Sequence, residues 1–432
     1  MPQNDAEYEA GTAGAAFWAT PDASPNIIWI VIDTARADQM SFLGYDRDTT
    51  PHLAELAEDS VVFTQAVSPS SWSLPSFASL LSGTLAANHE FHRASDAKLA
   101  SPYMAELNAL GYRTVSVQTN QWLKNLVGDF QTSYSYCHFP VRDDSTVDEL
   151  ALDRSMAWIE GAGDQPFFLF IGLFSPHRPY TIREPWFSQY LADATFAATP
   201  ATTLDDALFN VDPHTAGFIT YGQLPAALRP AGAADDDPIL DQRVYIAAYD
   251  SEIRHMDELL GEFFTYLKTE GLYDDACIVV TADHGESFDE HGVEFSHGNN
   301  VYASETHVPL LIKYPGQTGQ ATVDVPVGNI GIFPAIFEYC GFDQPAADAA
   351  GLSLAAFVAE QDPTAAVPVI SHTRSKEAFS TGIVMGGRTA IEIDPPLGNA
   401  RTTLELYDMA VDPGQQVNLL GTANCPGTLL PA

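Results

Sequence analysis

Two hydrophobic patterns alternate along the chain. Short unbroken apolar runs stop at a polar residue, and longer stretches space their apolar positions three and four apart. The run NIIWIVID, residues 26–33, is apolar from Ile27 to Ile32 and ends in a carboxylate. Such a run suits a strand buried on both faces of a parallel sheet. PFFLFIGLFSPHRPY, residues 166–180, has the same character, as does the apolar stretch 277–281. Helical spacing follows or precedes each. In SPSSWSLPSFASLLSG, residues 68–83, Leu74, Phe77, Ala78, Leu80 and Leu81 share one face and Gly83 is a natural stop. YMAELNALGYRTVSVQTN predicts helix, Gly-Tyr turn and strand. DQRVYIAAYDSEIRHMDELLGEFFTYLKTEG predicts a long amphipathic helix before strand 277–281, and PLLIKYPG and IGIFPAIFEYCGF continue with strand and helix. Strands alternating with helices imply an α/β sandwich with a mostly parallel central sheet.

Two regions break the alternation. Residues 190–238 are rich in Ala, Pro, Thr and Asp with little periodicity, and are expected to form an irregular excursion that covers one rim of the sheet as a lid. Beyond residue 362, VPVISHTRS, TGIVMGGRTAIEI and TLELYDMAVDPG are short strands separated by turns, as in a small antiparallel C-terminal domain. The expected division is an N-terminal extension over 1–25, a main domain over 26–361 and this small domain over 362–432.

Composition narrows the class. The 432 residues carry 57 acidic and 19 basic side chains, a formal net charge of −38, yet 46% are hydrophobic. That apolar content argues against an acidic disordered chain. Scattered carboxylates with few lysines suit a very salty cytoplasm, where screening removes self-repulsion, so a halophilic origin is expected. The same charge disfavours nucleic acid and anionic membranes as partners. The first 25 residues lack the basic and apolar regions of a signal peptide, and no run is long enough to span a bilayer. Cys137, Cys277, Cys340 and Cys425 are dispersed, with no CxxC pair, and are expected to be reduced. These features point to a cytoplasmic protein and say nothing of oligomeric state.

The candidate chemistry sits where strands end. Ligands of open α/β sheets bind beyond the carboxyl ends of the strands. There the sequence delivers Asp33, then Asp283, His284 and Glu286, and His177. Singly, each has a plain structural explanation. Together, two carboxylates and an imidazole suit a divalent cation, to which Ser73 can add an oxygen. Ser73 lies at or just before the N-cap of its helix. A serine there caps the helix, or it is a nucleophile whose transferred anion faces free N–H groups.

Residues 26–83 resemble the N-terminal region of the sulfatase family within the alkaline-phosphatase superfamily. The resemblance extends through YDSEIRHMDELLG, GLYDDACIVVTADHGESFDEHG, FSHGNNVYASETHVPLLIKYPG and LYDMAVDPGQQVNLL. It implies that Asp33, Asp283 and His284 bind one divalent cation (Mn²⁺, Ca²⁺, Mg²⁺ or Zn²⁺). Ser73 takes the place of the nucleophile, which in sulfatases is a formylglycine made from Cys or Ser. His177 and His297 match groups that touch the ester anion or the leaving oxygen. The implied activity is hydrolysis of a small-molecule sulfate ester through a covalent intermediate. Phosphodiesterase, phosphomonoesterase or phosphotransferase chemistry on unmodified Ser73 is the alternative, and a non-catalytic binding or scaffold homologue a third reading.

Departures from the family weigh on that choice. The signature C/S-x-P-x-R has Phe77 at its arginine, which argues against conversion of Ser73 to formylglycine. Thr34 replaces a second aspartate. QTNQW stands for the family's GKWH segment, so Thr119 and Gln121 replace Lys and His, and Asn120 is either a donor to an anionic oxygen or a loop amide. Arg36 and Asp38 either buttress Asp33 or, as the default, form a surface ion pair; Tyr249 and Asp250 are expected to tie a helix to the sheet, His291 to stand behind the ligands, and His307 to pack structurally.

Overall fold

The computed structural model describes residues 24–89, 91–92, 99–135, 147–193, 219–230, 232–293, 295–348, 354, 357–358, 367–374, 379–394 and 402–420. Among them, nine strands share one sheet: β1 (Ile27–Ile32), β2 (Val61–Val67), β3 (Arg113–Gln118), β4 (Thr132–Ser135), β5 (Phe167–Leu173), β6 (Cys277–Ala282), β7 (His307–Lys313), β8 (Ala321–Val323) and β9 (Val327–Gly328). The spatial order is β4-β3-β5-β1-β6-β7-β2-β8, with β9 also paired to β2. Every pairing is parallel except those of β7, which runs antiparallel to both β6 and β2. All residues of β1, β5 and β6 are buried, as unbroken apolar runs demand of central strands.

The helices are α1 (Pro51–Ala57), α2 (Ser73–Ser82), α3 (Pro102–Ala109), α4 (Val147–Glu160), α5 (Trp186–Leu191), α6 (Gln242–Thr269), α7 (Ala303–Thr306) and α8 (Ile332–Cys340). They fall into two packed groups. In one, α2 touches α3 and α8; in the other, α1, α4 and α5 pack on the long α6. Trp29 of β1 meets Phe333 of α8 edge-on at 4.8 Å and Phe170 of β5 at 6.0 Å, while Tyr103 of α3 stacks on Phe333 at 4.8 Å. Such aromatic pairs add about 0.5–1.5 kcal/mol each beyond the area they bury.

Register positions the site. Ile32, the last residue of β1, pairs with Leu173 on one side and Ala282 on the other. The residues that follow, Asp33 and Asp283, therefore leave the sheet at the same level.

A second sheet contains β10 (Val369–Arg374), β11 (Phe379–Met385), β12 (Arg388–Asp394) and β13 (Thr403–Asp408), paired antiparallel in chain order. Gly386 and Gly387, at φ of 56° and 75°, make the tight β11–β12 turn, which needs two residues in the left-handed region. The sheet is fastened to the loop before α2: Ser371 Oγ donates to the Ser68 carbonyl at 2.5 Å and the His372 N–H to the Pro69 carbonyl at 2.9 Å. Val301, Tyr302, Ile391 and Tyr407 form a small apolar cluster alongside.

The predicted elements are present, and β2, β4, β8, β9, α1, α4, α5 and α7 are additions that the coarse pattern did not single out. Residues 219–238 of the expected excursion hold two short 3-10 turns, Tyr221–Gln223 and Ala226–Leu228. Its stretch 194–218, the N-terminal extension up to residue 23, Cys137 and Cys425 lie outside the described residues. Cys277 and Cys340 are free thiols. No described helix is long and apolar enough to cross a membrane.

Candidate active site

Helix α2 starts at Ser73 itself, with Trp72 as N-cap, and no side chain caps it. This corrects the expectation that Ser73 stands at or before the cap. Its hydroxyl is not spent on the helix N–H groups. It lies 3.2 Å from His284 Nε2, donates to Asp33 Oδ1 at 3.5 Å, and accepts from Asn120 Nδ2 at 3.2 Å. The helix is pinned in this position from beneath. Ser76 Oγ donates to the Asp283 carbonyl at 2.6 Å, and Ser68 Oγ donates to the same oxygen. Gly83, at φ 68°, ends the helix as predicted.

Asp33, Asp283 and His284 are fully buried, and one ligand atom from each lies within 4.8 Å of the others. His284 Nδ1 sits 2.8 Å from the Gly285 carbonyl. A carbonyl only accepts, so Nδ1 carries the proton and Nε2 presents a lone pair to the cluster. Asp283 Oδ1 accepts from the N–H groups of Thr34 (3.2 Å) and His284 (2.9 Å), whereas its Oδ2 is buried with no hydrogen-bond partner among the described residues. Burial, then the charge of Asp283, pushes the Asp33 carboxyl well above the usual range; burial also raises Asp283. Two crowded carboxylates, an orphaned carboxylate oxygen and a bare imidazole nitrogen form a donor set that lacks a positive charge. A divalent cation fits it.

Asn120 makes the loop-amide contact and also turns its amide nitrogen to the cluster. Its Oδ1 accepts from the Trp122 N–H at 2.8 Å, as a loop amide would, while Nδ2 donates to Asp33 Oδ2 and Ser73 Oγ. His297 and His177 line up outward from His284, with ring centres 4.4 Å and then 5.0 Å apart. His297 Nδ1 is 2.8 Å from buried Glu286 Oε1, which fixes the proton on Nδ1. His177 Nδ1 bonds the Arg178 carbonyl at 2.5 Å, and the ring stacks on Phe174 at 4.5 Å. Desolvation, reinforced by His297, pushes the His177 imidazole down to about 3, and desolvation lowers His297 as well.

A model of the family described as Sulfatase matches residues 25–342. The chain belongs to the sulfatase family. The multifunctional alkaline phosphatase superfamily protein PehA of Trinickia caryophylli is 31% identical over 217 residues, 49% of this chain and 41% of PehA. An ulvan-active sulfatase of Formosa agariphila is 26% identical across 92% of this chain and 77% of its own length. The chain spans about half the length of several curated relatives, 52% for arylsulfatase K of Xenopus laevis. Among solved structures, the phosphonate monoester hydrolase of Agrobacterium radiobacter superposes with a TM-score of 0.68 at 20% identity, covering 93% of this chain and 92% of that one. BT4656, in complex with its substrate D-glucosamine-2-N,6-O-disulfate, gives 0.67 at 17% identity over 93% and 94%. These structures establish the fold.

The departures from the sulfatase pattern have structural counterparts. Phe77, at the signature arginine, is fully buried and meets Phe170 edge-on at 6.2 Å, so it packs the core. Thr34 is buried at φ 56° and its hydroxyl has no partner among the described residues. Thr119 Oγ1 donates to Asp148 Oδ1 at 3.1 Å and to the Gly172 carbonyl at 3.1 Å.

Two minor expectations change. Arg36 does pair with Asp38 at 2.7 Å, but the guanidinium is buried, also binds Glu290 at 2.8 Å and lies over the Phe288 ring, so it is no surface pair. His291 stacks on Tyr302 at 3.5 Å and reaches the Gly414 carbonyl, which places it against the C-terminal segment and away from the ligands. Tyr249 and Asp250 act as expected. Tyr249 bonds the backbone of Thr34 and Arg36, and Asp250 takes Arg47 and Tyr45. His307 packs on the Thr64 carbonyl at 2.9 Å. Asp148 went unnoticed in the sequence. It accepts the N–H groups of Phe174 (2.8 Å) and Ser175 (2.9 Å), steering the chain that carries His177. An acid in the first turn of α4 looks like any helix-start residue.

Proposed function

We propose that the chain hydrolyses sulfate esters of small molecules, with Ser73 as the nucleophile. The observation that carries this reading is the Ser73 hydroxyl, set 3.2 Å from His284 Nε2 and unused by the helix it begins. Asp33, Asp283 and His284 would hold one divalent cation. Such a cation lowers the pKa of a neighbouring hydroxyl and neutralises an ester oxygen. Ser73 Oγ, its proton lost, attacks sulfur; the Oγ–S bond forms as the bond from sulfur to the leaving oxygen breaks. Asn120 Nδ2 and the free N–H groups at the start of α2 offer hydrogen bonds to the transferred anion. As a neutral base, His177 or His297 takes up on Nε2 the proton that Ser73 loses and passes it to the leaving alcohol. Water then attacks sulfur of the serine ester and releases sulfate and Ser73.

A second reading uses the same residues on phosphate-type esters. Phe77 favours it: the core position of this ring removes the arginine with which a modifying enzyme would recognise Ser73, leaving an ordinary serine. Residence in the cytoplasm of a salt-loving cell is part of the proposal and rests on the charge of −38. The division at residue 361 is likewise proposed, on the separate pairing of the two sheets.

Turnover of aryl sulfates and aryl phosphates by the purified protein, with added Mn²⁺, Mg²⁺, Ca²⁺ or Zn²⁺, decides between the readings. Preference for the phosphate ester sinks the sulfatase assignment, and turnover of neither sinks both. Mass spectrometry of the peptide containing Ser73 reports whether the serine is modified.

A further inference from the structure

The two loops that bring Asn120 and His177 to the site leave neighbouring strands. β3 and β5 are parallel, and Gln118, the last residue of β3, pairs with Gly172. Thr119 and Asn120 follow one strand; Phe174, Ser175 and His177 follow the other. Asp148, in the first turn of α4, is buried and bonds to both. Its Oδ1 accepts from Thr119 Oγ1 at 3.1 Å and from the Phe174 N–H at 2.8 Å, and its Oδ2 from the Ser175 N–H at 2.9 Å. Donors from two strand ends thus share one carboxylate.

Each arm of this link leads directly to a residue of the proposed site. Thr119 is the covalent neighbour of Asn120, whose Nδ2 donates to Ser73 Oγ at 3.2 Å. On the other arm, the Phe174 ring stacks on the His177 imidazole at 4.5 Å, and the His177 N–H turns back to the Phe174 carbonyl at 2.9 Å. Beyond His177 the same loop is held by Glu252 of α6, which accepts from the Thr181 N–H at 2.5 Å. Hydrogen bonds to an ionised acceptor are about twice as strong as neutral ones, so removing the charge of Asp148 loosens both loops at their common anchor. A displacement of about 1 Å at a reacting group can cost about a hundredfold in rate.

We propose that Asp148 is a positioning residue that sets Asn120 and His177 relative to each other, coupling the amide that holds the Ser73 hydroxyl to an imidazole that serves the leaving alcohol. It acts through Thr119 on one loop and through the Phe174 and Ser175 backbone on the other. The inference rests on the reading of Ser73 as the nucleophile.

The test is kinetic and structural. Asp148→Asn keeps the size of the side chain and removes its charge and one acceptor. It is expected to lower kcat for the better of the aryl sulfate and the aryl phosphate about tenfold to a hundredfold, with KM changed less than about threefold. Thr119→Val cuts only the arm to Asn120. It should lower kcat about threefold to tenfold in the parent and not at all in an Asn120→Ala background, because a residue that acts through another adds nothing once that one is gone. Losses that multiply in the combined variant overturn the proposal, as does a kcat within about twofold of the parent for either single variant. If Asp148→Asn does not fold, the Thr119→Val cycle decides alone. Turnover of neither ester by the parent is a failure of the Ser73 assignment, and crystal structures of parent and variant then read Asp148 directly. The Asn120–Ser73 separation of 3.2 Å and the His177–His297 ring spacing of 5.0 Å should both lengthen in Asp148→Asn, and either one unchanged overturns the coupling.

Discussion

The Asn120 side-chain amide donates to Ser73 Oγ at 3.2 Å and to Asp33 Oδ2 from the same nitrogen. One donor thus fixes the spacing between the proposed nucleophile and a proposed ligand. Asn120→Ala is expected to lower kcat about a hundredfold, the scale of losing one preorganised donor, with a smaller change in KM. Steady-state kinetics beside a thermal melt checks it; an unchanged kcat refutes the role.

Ser73→Ala removes the attacking oxygen from a helix held by other contacts. Turnover should fall at least about a thousandfold while the melting midpoint stays close to that of the parent. Rapid quench and mass spectrometry of the parent should trap a covalent adduct on the Ser73 peptide that the variant lacks.

The buried Asp33 and Asp283 carboxylates repel each other, so a bound cation should stabilise the fold. At a hundredfold excess over its dissociation constant a ligand adds about 2.7 kcal/mol, which for a chain of this size raises the midpoint by about 3 °C. Differential scanning fluorimetry with Mn²⁺ and then with a chelator should show this rise and its reversal. Asp283→Asn, which removes the charge beside the orphaned Oδ2, should abolish both.

Glu305 gives a pH signature of its own. It is fully buried, accepts from the Gly298 N–H at 2.8 Å and from Ser287 Oγ at 3.0 Å, and burial pushes its carboxyl up to about 8. The folded state holds this proton more tightly than the unfolded chain. The resulting stability is complete below the ordinary glutamate range and is lost as pH rises toward 8. Glu305→Gln does not titrate, so its midpoint should gain on the parent steadily from pH 4.5 to pH 8. A constant difference across that range would refute the shift.

A formal charge of −38 predicts strong salt dependence. The screening length falls from about 10 Å at 0.1 M salt to about 3 Å at 1 M. Melting in rising KCl should show a steep gain in stability, and a flat profile would remove the argument for a halophilic origin.

What was legible in the sequence follows from how local each signal is. Unbroken apolar runs revealed β1, β5 and β6, and the polar residues at their ends marked Asp33, His177 and Asp283, because burial on two faces leaves no other composition. Ser73 was locatable, but its role was not: whether a hydroxyl caps a helix or faces a cluster depends on one residue of offset at the helix start. Asp148 and Thr119 act on groups far away in the chain, and their short-range context is that of ordinary helix and strand-end residues. The buried state of Arg36 was equally hidden, since Glu290, its second partner, lies 254 positions away.

The fastening of Ser371 and His372 to the Ser68 and Pro69 carbonyls bears on how this architecture can be divided. Ser68 also reaches the backbone of Asp283, so the C-terminal sheet stands only two bonded steps from the strand that carries the proposed ligands. A polypeptide cut after the first sheet would strip partners from the very loop that launches α2. The small sheet therefore buttresses the proposed reaction centre, and changes accumulated in it over evolution would be felt at Ser73.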